Sequence, residues 1–218
     1  MFFSLQKKTQ SGFTIIELLV SISIFAFMTA FLVVKYGTFN QSVLLTNLAY
    51  DSALTIRTAQ SYGLNVQGTA TSSTALGFGY AYGVHFDSAY PTKFIFFVDL
   101  CGDDIYRVQG ATTCAAIGNA AIGNEVISTY TMRTGFELQP AVGNVGGLCA
   151  GTSVTCSQVS SLDITFRRPY PDALIFSNGA GVGTATPVSY AKIPFLSTSD
   201  GSMKFIVVQS TGQIAVVN

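Results

Sequence analysis

The stretch that decides the fold is 11-SGFTIIELLVSISIFAFMTAFLVV-34. From Phe13 to Val34 it contains no Lys, Arg, Asp, His, Gly or Pro, and its single charge is Glu17. As an α-helix this run is about 33 Å long, enough to cross a bilayer core of roughly 30 Å. An ordinary secretory signal has a shorter apolar core, about 7–15 residues, followed by a small-residue cleavage site. The continuation VVKYGTFNQ has no such site. A plain single-span anchor explains the length but not the carboxylate. Ionisable groups within apolar spans cost roughly 2.5–3.5 kcal/mol at the centre, less near an end, and usually have a partner.

Ahead of the run stands a short polar leader, MFFSLQKKTQSG, which carries Lys7 and Lys8 and ends at Gly12. Gly12, Phe13 and Glu17, heading an apolar helix behind a basic leader, resemble the class III signal peptide of type IV pilins and pseudopilins. The resemblance implies cleavage between Gly12 and Phe13 by a prepilin peptidase and N-methylation of Phe13. The new amine is positive, and the Glu17 carboxylate is then placed to neutralise the amine of a neighbouring subunit. In a low-dielectric setting such pairing is far stronger than in water and sets the axial register between packed helices.

Residues 35–62 contain no Pro, so the helix is expected to continue. Val43 with Leu44, Leu48, Ser52 with Ala53, Ile56 and Ala59 recur at intervals of three and four, an amphipathic stripe for packing on a sheet. Asn47, Asp51, Thr55 and Thr58 fall on other faces. Gly37 marks a weak point on leaving the bilayer, and Gly63 stands where a C-terminal cap belongs. The whole helix, 13–62, would run about 75 Å. The segment 47-NLAYDSALTIRTAQSYGLNV-66, above all Arg57 to Gly63, resembles the H-type minor pseudopilins of type II secretion and related minor pilins.

Beyond Gly63 the pattern changes to short segments rich in Val, Ile, Phe, Tyr and Thr, separated by Gly, Pro, Asn or Asp. After the polar linker 66-VQGTATSSTA-75 come LGFGYAYGVHF, KFIFFVDL, DIYRV, EVISTYTM, SLDITF, ALIFS, MKFIVVQ and QIAVV. No long helical pattern interrupts them, so βαβ architecture is not expected. Ser210-Thr211-Gly212 reads as the turn of a final hairpin, and 179-GAGVGTAT-186 as a flexible loop without the context of a nucleotide site. The reading is an α+β fold of type IV pilin-like form, with a long N-terminal helix on an antiparallel β-rich head. Its divisions are a leader over 1–12, a stalk helix over 13–62 with its transmembrane part over 13–34, and a head over 63–218.

Charged residues are only 10% of the 218, against about 25% in average soluble domains, and mean hydropathy is +0.44. The formal charges balance, giving no electrostatic case for nucleic acid, and the tail QIAVVN is uncharged. The four cysteines, Cys101, Cys114, Cys149 and Cys156, all fall in the head, where an even number in an exported domain argues for disulfides. Of three possible connectivities, Cys101–Cys114 with Cys149–Cys156 is favoured, because each pair flanks a loop dense in Gly, Ala and Thr. In 99-DLCGDDIYR-107, Asp99, Asp103 and Asp104 are candidate oxygen ligands for calcium. The stretch resembles Asp-x-Asn-Gly-Asp hairpins of other pilin-like proteins, with Cys101 in place of the Asn. A solvated turn is the competing reading, and no other cofactor or metal is expected.

The only histidine, His85, lies inside an apolar strand pattern, and there is no Gly-x-Ser-x-Gly elbow. The chain is accordingly read as a non-enzyme. The resemblance implies a minor pilin or pseudopilin, a structural subunit of a type IV pilus or type II secretion pseudopilus. Its implied partners are other pilins through the N-terminal helix, the prepilin peptidase and an inner-membrane assembly platform. Its implied place is the inner membrane, single-pass with the head outside the cytoplasm, and then the filament. The alternatives are an anchored binding module for adhesion or DNA uptake, or a monomeric envelope protein.

Overall fold

In the computed structural model of the chain, the residues described are 12–65, 68–70, 76–108, 124–139, 147–152, 156–179 and 186–218. Among the described residues there is one helix, α1, which spans Ile15–Leu64 and is followed by antiparallel β-sheets, an α+β arrangement. The chain divides into two compact units, Met1–Asn40 and Gln41–Asn218, so the second half of α1 belongs with the β-structure.

The strands are β1 (Gly68–Ala70), β2 (Leu76–Phe78), β3 (Ala81–Asp87), β4 (Lys93–Asp99), β5 (Val126–Thr131), β6 (Phe136–Leu138) and β7 (Cys149–Gly151). They continue as β8 (Cys156–Gln158), β9 (Ser161–Phe166), β10 (Ala173–Ser177), β11 (Tyr190–Ser197), β12 (Met203–Gln209) and β13 (Ile214–Val217). One sheet has the order β10-β9-β3-β4-β5, and a second has β13-β12-β11-β7-β8 with β6 also on β11. β1 and β2 form a separate ribbon. Period-two alternation sends Tyr82, Val84 and Phe86, Phe94, Phe96 and Val98, and Leu162, Ile164 and Phe166 to one face of the first sheet. They share one buried cluster with Ile193, Phe195, Ile206 and Val208 of the second sheet and with α1.

The helix seam follows the expected stripe at Ser52, Ala53, Ile56 and Ala59, with Leu44 and Leu48 partly buried against the core. Leu45, Ala49, Ser52, Ala53, Thr55, Ile56 and Ala59 are buried, whereas Val43 is exposed. Thr55 tolerates burial because its hydroxyl donates back to the Asp51 carbonyl at 3.0 Å. Small residues dominate this seam, and they let the helix backbone come close to the sheet. Gly63 is the extreme case and is not a cap: a Cβ there would lie 2.2 Å from the Phe166 carbonyl oxygen, and the helix runs past it to Leu64.

One expected strand is absent, and several observed strands lie outside the expected segments. DIYRV is not a strand; its backbone is irregular, and Asp104 takes a positive φ of 61°. β11 was hidden by Pro194, which has no N–H for a ladder. That proline falls between the residues paired by β7, Tyr190 to Lys192, and those paired by β6, Phe195 to Ser197. β6, β7 and β8 are three residues each, too short to show alternation.

Candidate functional site

The first turn of α1 is closed by Thr14 and Glu17, three residues apart. The Glu17 N–H donates to Thr14 Oγ1 at 3.3 Å, and the Thr14 hydroxyl donates to Glu17 Oε2 at 3.4 Å. Thr-Ile-Ile-Glu is thus a capping-box sequence, with Glu17 also favoured electrostatically at the positive end of the helix. This local role was readable from Thr14 but was missed beside the longer-range role of Glu17. Further along, the Ser21, Ser23 and Thr29 hydroxyls donate to the carbonyls of Glu17, Leu19 and Phe25. Every hydroxyl of the apolar run thereby has a bond within its own helix, as an environment without water demands.

Around this turn the large apolar side chains are uncovered. Phe13, Ile15, Ile16, Leu18, Leu19 and the apolar residues onward to Val34 are about half to four-fifths exposed. The helix is long and apolar enough to cross a membrane, with a mean hydropathy of 2.3 in its most apolar stretch. A soluble domain does not leave such a continuous surface open to water. A family described as the prokaryotic N-terminal methylation motif matches residues 7–33. The chain carries the N-terminal methylation motif of type IV pilin-like proteins. No curated protein and no solved structure matches the chain. The motif spans the leader's Lys7 and Lys8, the Gly12–Phe13 junction and Glu17.

The Arg57–Gly63 stretch has a structural task in the head. Arg57 Nη2 donates to the Ile214 carbonyl at 3.2 Å. Gln60 Nε2 donates to the carbonyls of Pro171 and Gly212 at 2.9 and 3.2 Å. The Tyr62 ring meets Tyr82 edge-on and Phe96 at a tilt, each with centroids 5.6 Å apart. Gly212, at φ +81°, lets the β12–β13 turn reach Gln60, since a Cβ there would lie 2.7 Å from Gln60 Nε2. These residues fasten the second half of α1 to both sheets.

The acidic hairpin residues are buried on the other face of the first sheet. Asp99 Oδ1 accepts from the Gly102 and Asp103 N–H groups at 2.6 and 3.2 Å, and Oδ2 from the Asp104 N–H at 2.9 Å. Glu125 accepts from the N–H groups of Leu100 and Arg107, Asp163 from that of Tyr106, and Asp103 from that of Ile105. Carboxylates thus accept the amides of residues 104–107, which need no strand partner among the described residues. Asp103 pairs with Arg107 at 2.6 Å and Asp104 with Arg167 at 3.3 Å. The three calcium candidates thus face three different sets of donors, and no group of metal-ligating side chains forms among the described residues. Burial pushes the Asp99 carboxyl up to about 6 and that of Glu125 up to about 7, against the amide hydrogen bonds that lower both. Burial also raises Asp104, opposed by Arg167.

Cys149 and Cys156 are bridged, closing the β7–β8 hairpin. Cys101 is buried and disulfide-bonded, while Cys114 lies outside the described residues. So do most of the leader and most of the 179–186 loop. His85 has a buried partner: its Nδ1 lies 2.7 Å from Asp163 Oδ1, and its ring packs on Tyr106.

Proposed function

We propose that the chain is a minor pilin or pseudopilin, a structural subunit of a type IV pilus or type II secretion pseudopilus. The observation that carries this reading is the carboxylate of Glu17 in the first turn of an uncovered apolar helix that starts next to the Gly12–Phe13 junction. Cleavage there puts a positive amine at Phe13, and in an apolar filament core each Glu17 neutralises the amine of the next subunit. The head stays outside the cytoplasm, where its cystine is stable. The role is assembly rather than catalysis, with other pilin-type helices, the prepilin peptidase and an inner-membrane platform as partners.

Site-specific photo-cross-linking from position 24 in cells tests this. The reading predicts adducts with other pilin-like subunits, strongly reduced by Glu17→Gln while membrane insertion persists. A chain that yields only lipid or self-contained products, unaffected by Glu17→Gln, contradicts it and supports a monomeric envelope protein.

A further inference from the structure

On the outer face of the first sheet, at the β3–β4 turn, His85, Asp87, Tyr90, Lys93, Tyr106 and Ser161 surround a cavity of about 300 Å³. This is at the small end of ligand pockets, which run from about 300 to 1,000 Å³. Ile95, the partner of His85 across the β3–β4 pair, also lines it. Charges at the rim are already engaged locally. Asp87 Oδ1 accepts from the Ala89 N–H at 2.8 Å, and Lys93 Nζ lies 4.2 Å from the centre of the Tyr90 ring.

His85 is positioned rather than mobile. Asp163, itself buried, holds Nδ1 at 2.7 Å and also accepts from the Tyr106 N–H, while the Tyr106 ring packs against the imidazole at 4.9 Å between centroids. With Nδ1 committed, Nε2 is the only free position on the ring. Neither Nε2 nor the Ser161 hydroxyl has a partner among the described residues. Among the described residues the cavity therefore offers two unpartnered hydrogen-bonding groups beside Tyr90 and Tyr106, with one charge of each sign, Asp87 and Lys93, at its rim. A rim that carries one charge of each sign gives no net attraction for a strongly ionic ligand. The aromatic side chains and the unpartnered groups suit a ring with apolar C–H faces and hydroxyls that both donate and accept.

We propose that this cavity binds one sugar ring of a neutral glycan, bounded by Tyr90 and Tyr106 and hydrogen-bonded by His85 and Ser161. The test uses the full chain in a detergent without a sugar headgroup. Glucose, galactose, mannose and N-acetylglucosamine are titrated by saturation-transfer NMR, with glycine as the zwitterionic control. The expected result is saturable binding of at least one sugar, weakened about tenfold or more by Tyr90→Ala and by Ser161→Ala. Tyr90 is 56% exposed and Ser161 is half-buried, so both variants should keep the wild-type unfolding temperature. No sugar binding at tens of millimolar, binding unchanged in both variants, or binding of glycine alone would each overturn the proposal.

Discussion

The two halves of α1 share one backbone and opposite fates. Up to about residue 34 its apolar side chains point into open space on every side, and its hydroxyls are satisfied within the helix. From Leu45 to Gly63 a narrow seam of small residues is buried, and Arg57 and Gln60 reach out to carbonyls of the sheets. The lesson is that apolarity alone does not say what a helix packs on. A ring of Leu, Ile, Val and Phe awaits lipid or other helices, whereas an Ala and Gly seam is cut to fit one particular sheet.

Matched substitutions in the two halves can break that contrast. The largest expected effect is at Ile56, fully buried, where Ile56→Ala should destabilise the head by about 2–5 kcal/mol. Ile24→Ala, at a position 57% exposed, should leave head unfolding within about 0.5 kcal/mol of wild type. Both are measured by denaturant unfolding followed through head fluorescence. Equal losses at the two sites would show that the halves are not energetically distinct.

Next come the two helical glycines. Gly63→Ala drives a Cβ into the Phe166 carbonyl and should cost about 1–3 kcal/mol. Gly37→Ala meets nothing within 4 Å and should stabilise the helix by up to about 1 kcal/mol. Circular dichroism melts of the two variants give the comparison, and a harmless Gly63→Ala would remove the close-approach account.

A smaller effect sharpens the contrast from the head's side. Asp99 and Glu125 bind protons more tightly when folded than in an unfolded chain, since burial raises both. Their contribution is fully present below the ordinary carboxylate range. It is lost as pH rises through about 6 for Asp99 and about 7 for Glu125. The head should therefore melt at a lower temperature at pH 8 than at pH 5, and Glu125→Gln should narrow that difference. A difference as wide in Glu125→Gln as in wild type would exclude Glu125 as its source.

The helix, its two-part character and the methylation motif were legible because long apolar runs and the Gly12–Phe13–Glu17 spacing are local signals. Strands with clear alternation, such as 93–99 and 203–209, were legible for the same reason. What escaped notice depends on contacts distant in sequence. β11 carries a proline that is tolerated only because β6 and β7 leave a gap beside it. DIYRV has strand-like residues, yet its amides go to carboxylates from β4, β9 and the segment before β5. The pairing of His85 with Asp163 joins residues 78 apart in sequence and has no spacing to betray it.

The most direct test of the central claim is mass spectrometry of the N-terminal peptide from the membrane fraction, with and without active prepilin peptidase. The account predicts a peptide that begins at N-methylated Phe13 and disappears when the peptidase is inactive. A terminus at Met1 in both samples would contradict it, leaving Glu17 as no more than part of its helix cap.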